Sequence, residues 1–164
     1  MQKIGKVIIP DGKICSGKST YTRRLRDETG AIALMVDEAI LRVFSETPDR
    51  ERVGAELLNL IEYMLELAAD MALYGATVVL EIGYFNNAER DAHRKFFKER
   101  GVPYEWHYLN VSDEVWQRNL ASREAEKDAG ENRTFRITDA YLQHFNEAYE
   151  EPDRADVDVW IDIN

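Results

Sequence analysis

The chain has 164 residues, 45% of them hydrophobic and 32% charged, which suits one domain with a real core spanning residues 1–164. Its formal net charge of −10 repels polyanions, so a general nucleic-acid binder is disfavoured and any contact with RNA or DNA has to be local. A single cysteine excludes an intrachain disulfide, no signal peptide or membrane-spanning run stands out, and His93, His107 and His144 lack structural-metal spacing, so a cytoplasmic protein is expected.

The first apolar run, Ile4 to Ile9, reads as a strand, and Pro10 suits its end rather than the interior of a central strand. Next comes Gly12-Lys13-Ile14-Cys15-Ser16-Gly17-Lys18-Ser19, followed by Thr20, which matches a P-loop at every fixed position. Gly12 permits the tight turn out of the strand, where a Cβ would clash. Successive backbone N–H groups can then point into one concavity that holds phosphate oxygens. Gly17 lets the backbone approach those oxygens, and Lys18 adds positive charge over the β and γ phosphates of ATP. The Ser19 hydroxyl is placed to ligate Mg²⁺. An amphipathic helix from Ser19 to Glu28 aims its positive end at the same anion. Cys15 lies beside Lys18 and a helix N-terminus, where a thiol could be reactive, but a small loop residue with no chemical role is the preferred reading.

Ala31 to Val36 is a continuous apolar run, as expected for a strand covered on both faces. Asp37 follows at its carboxyl end. It is the candidate general base for an acceptor hydroxyl, or else the N-cap of the helix that continues through Phe44. Thr47-Pro48-Asp49 reads as a turn, and Glu51 to Tyr74 as a long helix closed by Gly75. Ala76 to Leu80 is a third strand. It ends in Glu81, which could hold Mg²⁺ through a water, orient Ser19 and Lys18, or simply be solvated. Asn86 and Asn87 are ordinary loop residues that could also contact substrate.

A charged helix over Ala88–Arg100 and a fourth strand over Tyr104–Val111 come next. Ser112 can cap the helix that carries Trp116, Arg118 and Arg123. With Arg133, Arg136 and the polar stretch Lys127–Asn132, that helix suggests a lid over roughly residues 117–137. Its arginines would stabilise transferred charge, whereas surface pairing with Glu114, Glu124 and Glu126 is the plainer alternative for any one of them. Tyr84, Phe85, Trp116 and Phe135 could wall an acceptor pocket. Thr138 can cap a short helix through Glu147, and Val157 to Ile163 could be a last strand. Strand and helix thus alternate about five times, the pattern of a parallel sheet covered on both faces. The P-loop, Asp37 and Glu81 all fall at strand carboxyl ends, where such sheets bind ligands.

The loop Gly12–Thr20, Asp37, the strand ending in Glu81 and the Trp116-x-Arg118…Arg123 helix together resemble a group of small P-loop kinases. That group contains polynucleotide 5′-hydroxyl kinases, chloramphenicol phosphotransferase and zeta-toxin-like kinases. The resemblance implies a three-layer α/β P-loop NTPase of nucleotide-kinase-like type, with a five-stranded parallel sheet and a helical lid. It implies an ATP- and Mg²⁺-dependent kinase acting on a hydroxyl, with Asp37 as base, Arg42 on the acceptor side and Arg118 and Arg123 facing the phosphates. It also places the adenine near Glu151-Pro152-Asp153. Relatives more often carry Asp at the position of Glu81. The expected acceptor is a small molecule. A 5′-hydroxyl polynucleotide end is the first alternative, and a nucleotide-binding switch with no acceptor is the second.

Overall fold

The computed structural model describes residues 3–43, 54–128, 135 and 137–164. The expected turn at Thr47-Pro48-Asp49, the start of the long helix, and Arg133 and Arg136 lie outside the described residues. The strands are β1 (Lys6–Asp11), β2 (Ile32–Met35), β3 (Thr77–Glu81), β4 (Tyr104–Val111) and β5 (Val159–Ile163). The helices are α1 (Lys18–Thr29), α2 (Val36–Val43), α3 (Gly54–Leu73), α4 (Asn87–Glu99), α5 (Asp113–Asp128) and α6 (Asp139–Ala148). The strands form one five-stranded sheet in the order β2-β3-β1-β4-β5, and all four pairings are parallel.

Helices cover both faces of this sheet. Val7, Ile9, Val78 and Leu80 join Met64, Leu65 and Ala68 of α3 and Phe97 of α4 in the main core. Ile8 and Val79, the alternate residues, pack with Ala31 and Leu25 on the opposite, α1-facing side. Both parities of these strands are therefore apolar, which explains why the runs read as continuous. Each fully buried aliphatic side chain stabilises the fold by about 1.5–3 kcal/mol.

Pro10 lies inside β1, the central strand, rather than just beyond its end. The backbone explains how it is tolerated. Lys6 N–H bonds toward the β3 side and Val7 N–H toward the β4 side. By alternation, position 10 presents its nitrogen toward β3. Pairing with β3 runs only from Lys6 to Ile8, whereas pairing with β4 continues to Asp11. The missing N–H thus falls where β1 has already parted from β3.

Local signals set several other boundaries. α2 begins at Val36, so Asp37 is within its first turn and is not its N-cap. Asn86 caps α4: its side chain accepts the Glu89 N–H at 2.9 Å, and the Glu89 carboxylate accepts the Phe85 N–H at 2.8 Å. This reciprocal pair resembles a capping box and gives Asn86 a structural role. Thr138 caps α6 by accepting the Tyr141 N–H at 3.1 Å. Among the described residues, no helix is long and apolar enough to cross a membrane.

Candidate active site

The loop between β1 and α1 is shaped by three positions with positive φ. Gly12 leaves the strand at φ 150°, and a Cβ there would lie 2.6 Å from Ser16 Oγ and 2.9 Å from the Leu109 carbonyl. Cys15 adopts φ 58° and Gly17 φ 94° immediately before α1. Left-handed residues within such a loop are what an anion nest of backbone N–H groups requires, while the Ser16 N–H closes a turn onto the Lys13 carbonyl at 3.1 Å. Lys18 opens α1 and donates from Nζ to the Gly12 and Lys13 carbonyls, both at 2.8 Å. Burial lowers its pKa, while the charges of Glu81, Asp11 and Asp37 push it back up.

Ser19, one residue on, donates from Oγ to Glu81 Oε1 at 2.6 Å. Burial raises the Glu81 pKa, opposed by the Ser19 hydrogen bond and the Lys18 charge. The second oxygen, Oε2, is buried near the Thr22 hydroxyl without a well-formed hydrogen bond between them. A hydroxyl touching a carboxylate with spare acceptor capacity, beside a phosphate nest, fits a hard divalent cation such as Mg²⁺. Among the described residues, no cluster of three or more His, Cys, Asp or Glu forms an all-protein metal site. Any cation here would therefore share its ligands with phosphate oxygens and water.

Asp37 lines the same cleft, as do Gly12, Ile14 to Thr20, Glu81 and Arg123. The cleft encloses about 340 Å³. Lys13 belongs to the loop, but its side chain turns away. Its Nζ sits 5.3 Å from the Trp116 ring centroid and 3.8 Å from the Asp113 carboxylate.

α5 grips the loop from above. Trp116 Nε1 donates to the Ile14 carbonyl at 2.7 Å, and Asn119 Nδ2 to the Cys15 carbonyl at 2.9 Å. Arg123 reaches Cys15 Sγ at 3.5 Å and the Phe135 carbonyl at 3.3 Å. These three side chains are spaced three and four apart, so they share one helical face. Arg118 is off that face, is exposed and does not line the cleft. Arg42, in the last turn of α2, is also exposed and outside the cleft lining. The structure thus brings together the loop, Lys18, Ser19, Asp37, Glu81 and Arg123, and leaves Arg118 and Arg42 apart.

Four contributors carried no recognised sequence signal. Asp11 is fully buried at the end of β1, where its Oδ1 accepts the Gly12 N–H at 2.7 Å. Its Oδ2 accepts from Arg90 Nε at 2.7 Å and from Trp106 Nε1 at 3.0 Å. Arg90 also donates to the Glu150 carbonyl at 2.7 Å, which ties the loop base to the segment after α6. Asn119 is the fourth. The position of Asp11 directly before Gly12 was the one available clue. Its partners are 79 and 95 positions away.

Aromatic side chains form one wall of the cleft. Phe85 meets Tyr141 and Phe145 edge to face, with centroids 6.2 and 5.3 Å apart. Phe135 is buried against Ile40 of α2 and, with Leu57 and Leu60 of α3, joins a small cluster. Tyr84 is only 2% exposed, and its hydroxyl bonds with His93 Nδ1 at 2.9 Å. Trp116 serves the loop rather than this wall.

Residues 7–152 match the family described as AAA domain. The chain belongs to that family. No curated protein matches this AAA domain by sequence. Solved structures do match its fold. The APS kinase of Mycobacterium tuberculosis, in complex with AMPPNP and APS, is 20% identical with a TM-score of 0.65, covering 99% of this chain and 90% of its own. The shikimate kinase of Acinetobacter baumannii, in complex with shikimate, is 20% identical with a TM-score of 0.64, covering 98% and 84%. A gluconokinase of Sinorhizobium meliloti is 17% identical with a TM-score of 0.61, covering 98% and 84%. At these identities the AAA domain shares their three-layer P-loop fold.

Proposed function

We propose that this AAA domain is an ATP- and Mg²⁺-dependent kinase that transfers the γ-phosphoryl group to a hydroxyl of a small-molecule acceptor. One observation carries the reading: the phosphate nest with Lys18, the Ser19–Glu81 pair and Asp37 all line a single cleft. The solved proteins of the same fold that bear the names shikimate kinase, gluconokinase and APS kinase support it.

The loop amides and Lys18 hold the β and γ phosphates. Ser19 and Glu81 would hold Mg²⁺, which when bound would neutralise phosphate charge. Asp37 takes the acceptor's proton as its oxygen attacks the γ phosphorus. A new oxygen–phosphorus bond forms, the bond to the β,γ-bridging oxygen breaks, and ADP leaves. Arg123, held at Cys15, supplies positive charge over the transferring group.

Transfer of labelled γ-phosphate from ATP·Mg²⁺ tests the proposal. A pooled library of hydroxylated small molecules and a short 5′-hydroxyl oligonucleotide run in parallel, with Lys18→Ala as the blank. Label on a small molecule, absent from the blank, is the expected result. Label on the oligonucleotide alone would move the acceptor assignment to a polynucleotide end. ATP bound with no label anywhere would favour a nucleotide-dependent switch.

A further inference from the structure

Resting on the kinase reading, we infer that the acceptor is an alcohol carried on an apolar, ring-sized body, and not a polyol such as a sugar or sugar acid. The strand order sets out the cleft. β2 and β3 lie on one side of the loop-bearing strand and β4 and β5 on the other. Asp37 follows β2, and Phe85 follows β3 by a few residues. Phe135 packs on α2 and α3, on that same side. The aromatic wall and the proposed base therefore share the acceptor end of the cleft.

The chemistry of that end is selective. Phe85 and Tyr141 are half-buried and line the cleft, backed by the buried Phe145, with Ile137 beside them. Ring faces and edges of this kind reward a flat apolar body. They offer a polyol little in exchange for its lost hydration.

The test compares phosphoryl transfer to benzyl alcohol, phenylethanol and naphthylmethanol with transfer to glycerol, glucose, gluconate and a nucleoside. The expected result is a kcat/KM for the ring-bearing alcohols at least about tenfold above that for glucose and gluconate. Phe85→Leu keeps bulk but removes the ring, and should lower that ratio while leaving ATP affinity unchanged. Tyr141→Leu, on a different element, should act alike and covers the case in which Phe85→Leu fails to fold. A preference for glucose, gluconate or the nucleoside overturns the inference and leaves the kinase reading standing. An unchanged ratio in both variants also overturns it. If no acceptor is phosphorylated although ATP binds, the kinase reading fails. The inference is then decided by naphthylmethanol fluorescence, where saturable binding weakened by Phe85→Leu sustains the ligand class and no binding overturns it.

Discussion

Arg90 Nε donates to Asp11 Oδ2 at 2.7 Å, with both side chains completely buried, and the same carboxylate accepts the first amide of the phosphate loop. Removing one partner strands a charge in the interior. Arg90→Met should therefore cost about 3–5 kcal/mol of stability, while the double variant Arg90→Met with Asp11→Asn should recover much of that loss. Urea unfolding of the single and double variants measures both quantities. Equal losses in the two would show that side-chain packing, not charge pairing, dominates at this position.

Asp37 lines the cleft within the first turn of α2. Asp37→Asn keeps the shape and removes the proton acceptor. Turnover should fall by about 10²–10⁴-fold with ATP affinity unchanged. Steady-state kinetics beside ATP titration calorimetry checks the split. Full turnover in the variant would take away the role of base.

The Ser19–Glu81 contact predicts a metal-linked phenotype. Glu81→Gln should raise the Mg²⁺ concentration needed for half-maximal ATP binding by about 10–100-fold. Affinity for ATP without Mg²⁺ should change little. A Mg²⁺ titration of ATP binding that is superimposable for the two proteins would remove Glu81 from the metal's surroundings.

One buried histidine, His107, and one half-buried histidine, His93, predict loss of stability in acid. Burial lowers the pKa of both His93 and His107 below the ordinary 6.5, with Glu105 partly opposing the shift at His107. The unfolded chain then binds more protons than the folded one below pH 6.5. Stability present at neutral pH is lost as pH falls from 6.5 toward the folded values. Each ring contributes a slope of at most about 1.4 kcal/mol per pH unit, less to the extent that solvent reaches it. Urea midpoints measured between about pH 7 and pH 5.5 should fall, and His107→Gln should flatten the fall. A flat profile in the parent protein would refute the assignment.

The sequence carried what depends on local spacing. The loop Gly12–Ser19 is contiguous, so its motif was complete before any folding argument. The strands over 77–81 and 104–111 were legible because their apolar runs end at turn residues. What depends on contacts between distant positions was hidden. Arg118 and Arg123 look alike on paper, but only Arg123 shares a helical face with Trp116 and Asn119 above the loop. Pro10 reads as a strand end until the unequal lengths of pairing on its two sides are known. Asp11 carries no signal of its role in the sequence, because nothing near it announces Arg90 or Trp106.

The grip of α5 on the loop has a thermodynamic consequence. Beyond Val115, no described residue of α5 up to position 125 is buried, and polar contacts tie its middle turns to the Ile14, Cys15 and Phe135 carbonyls and to the Cys15 thiol. Cys15 has a left-handed backbone that costs a non-glycine residue about 1–2 kcal/mol, and the helix helps to hold it there. Helix and nest are therefore linked functions. On the kinase reading, contacts that steady α5 in this position should tighten phosphate affinity, and phosphate should steady α5 by the same free energy.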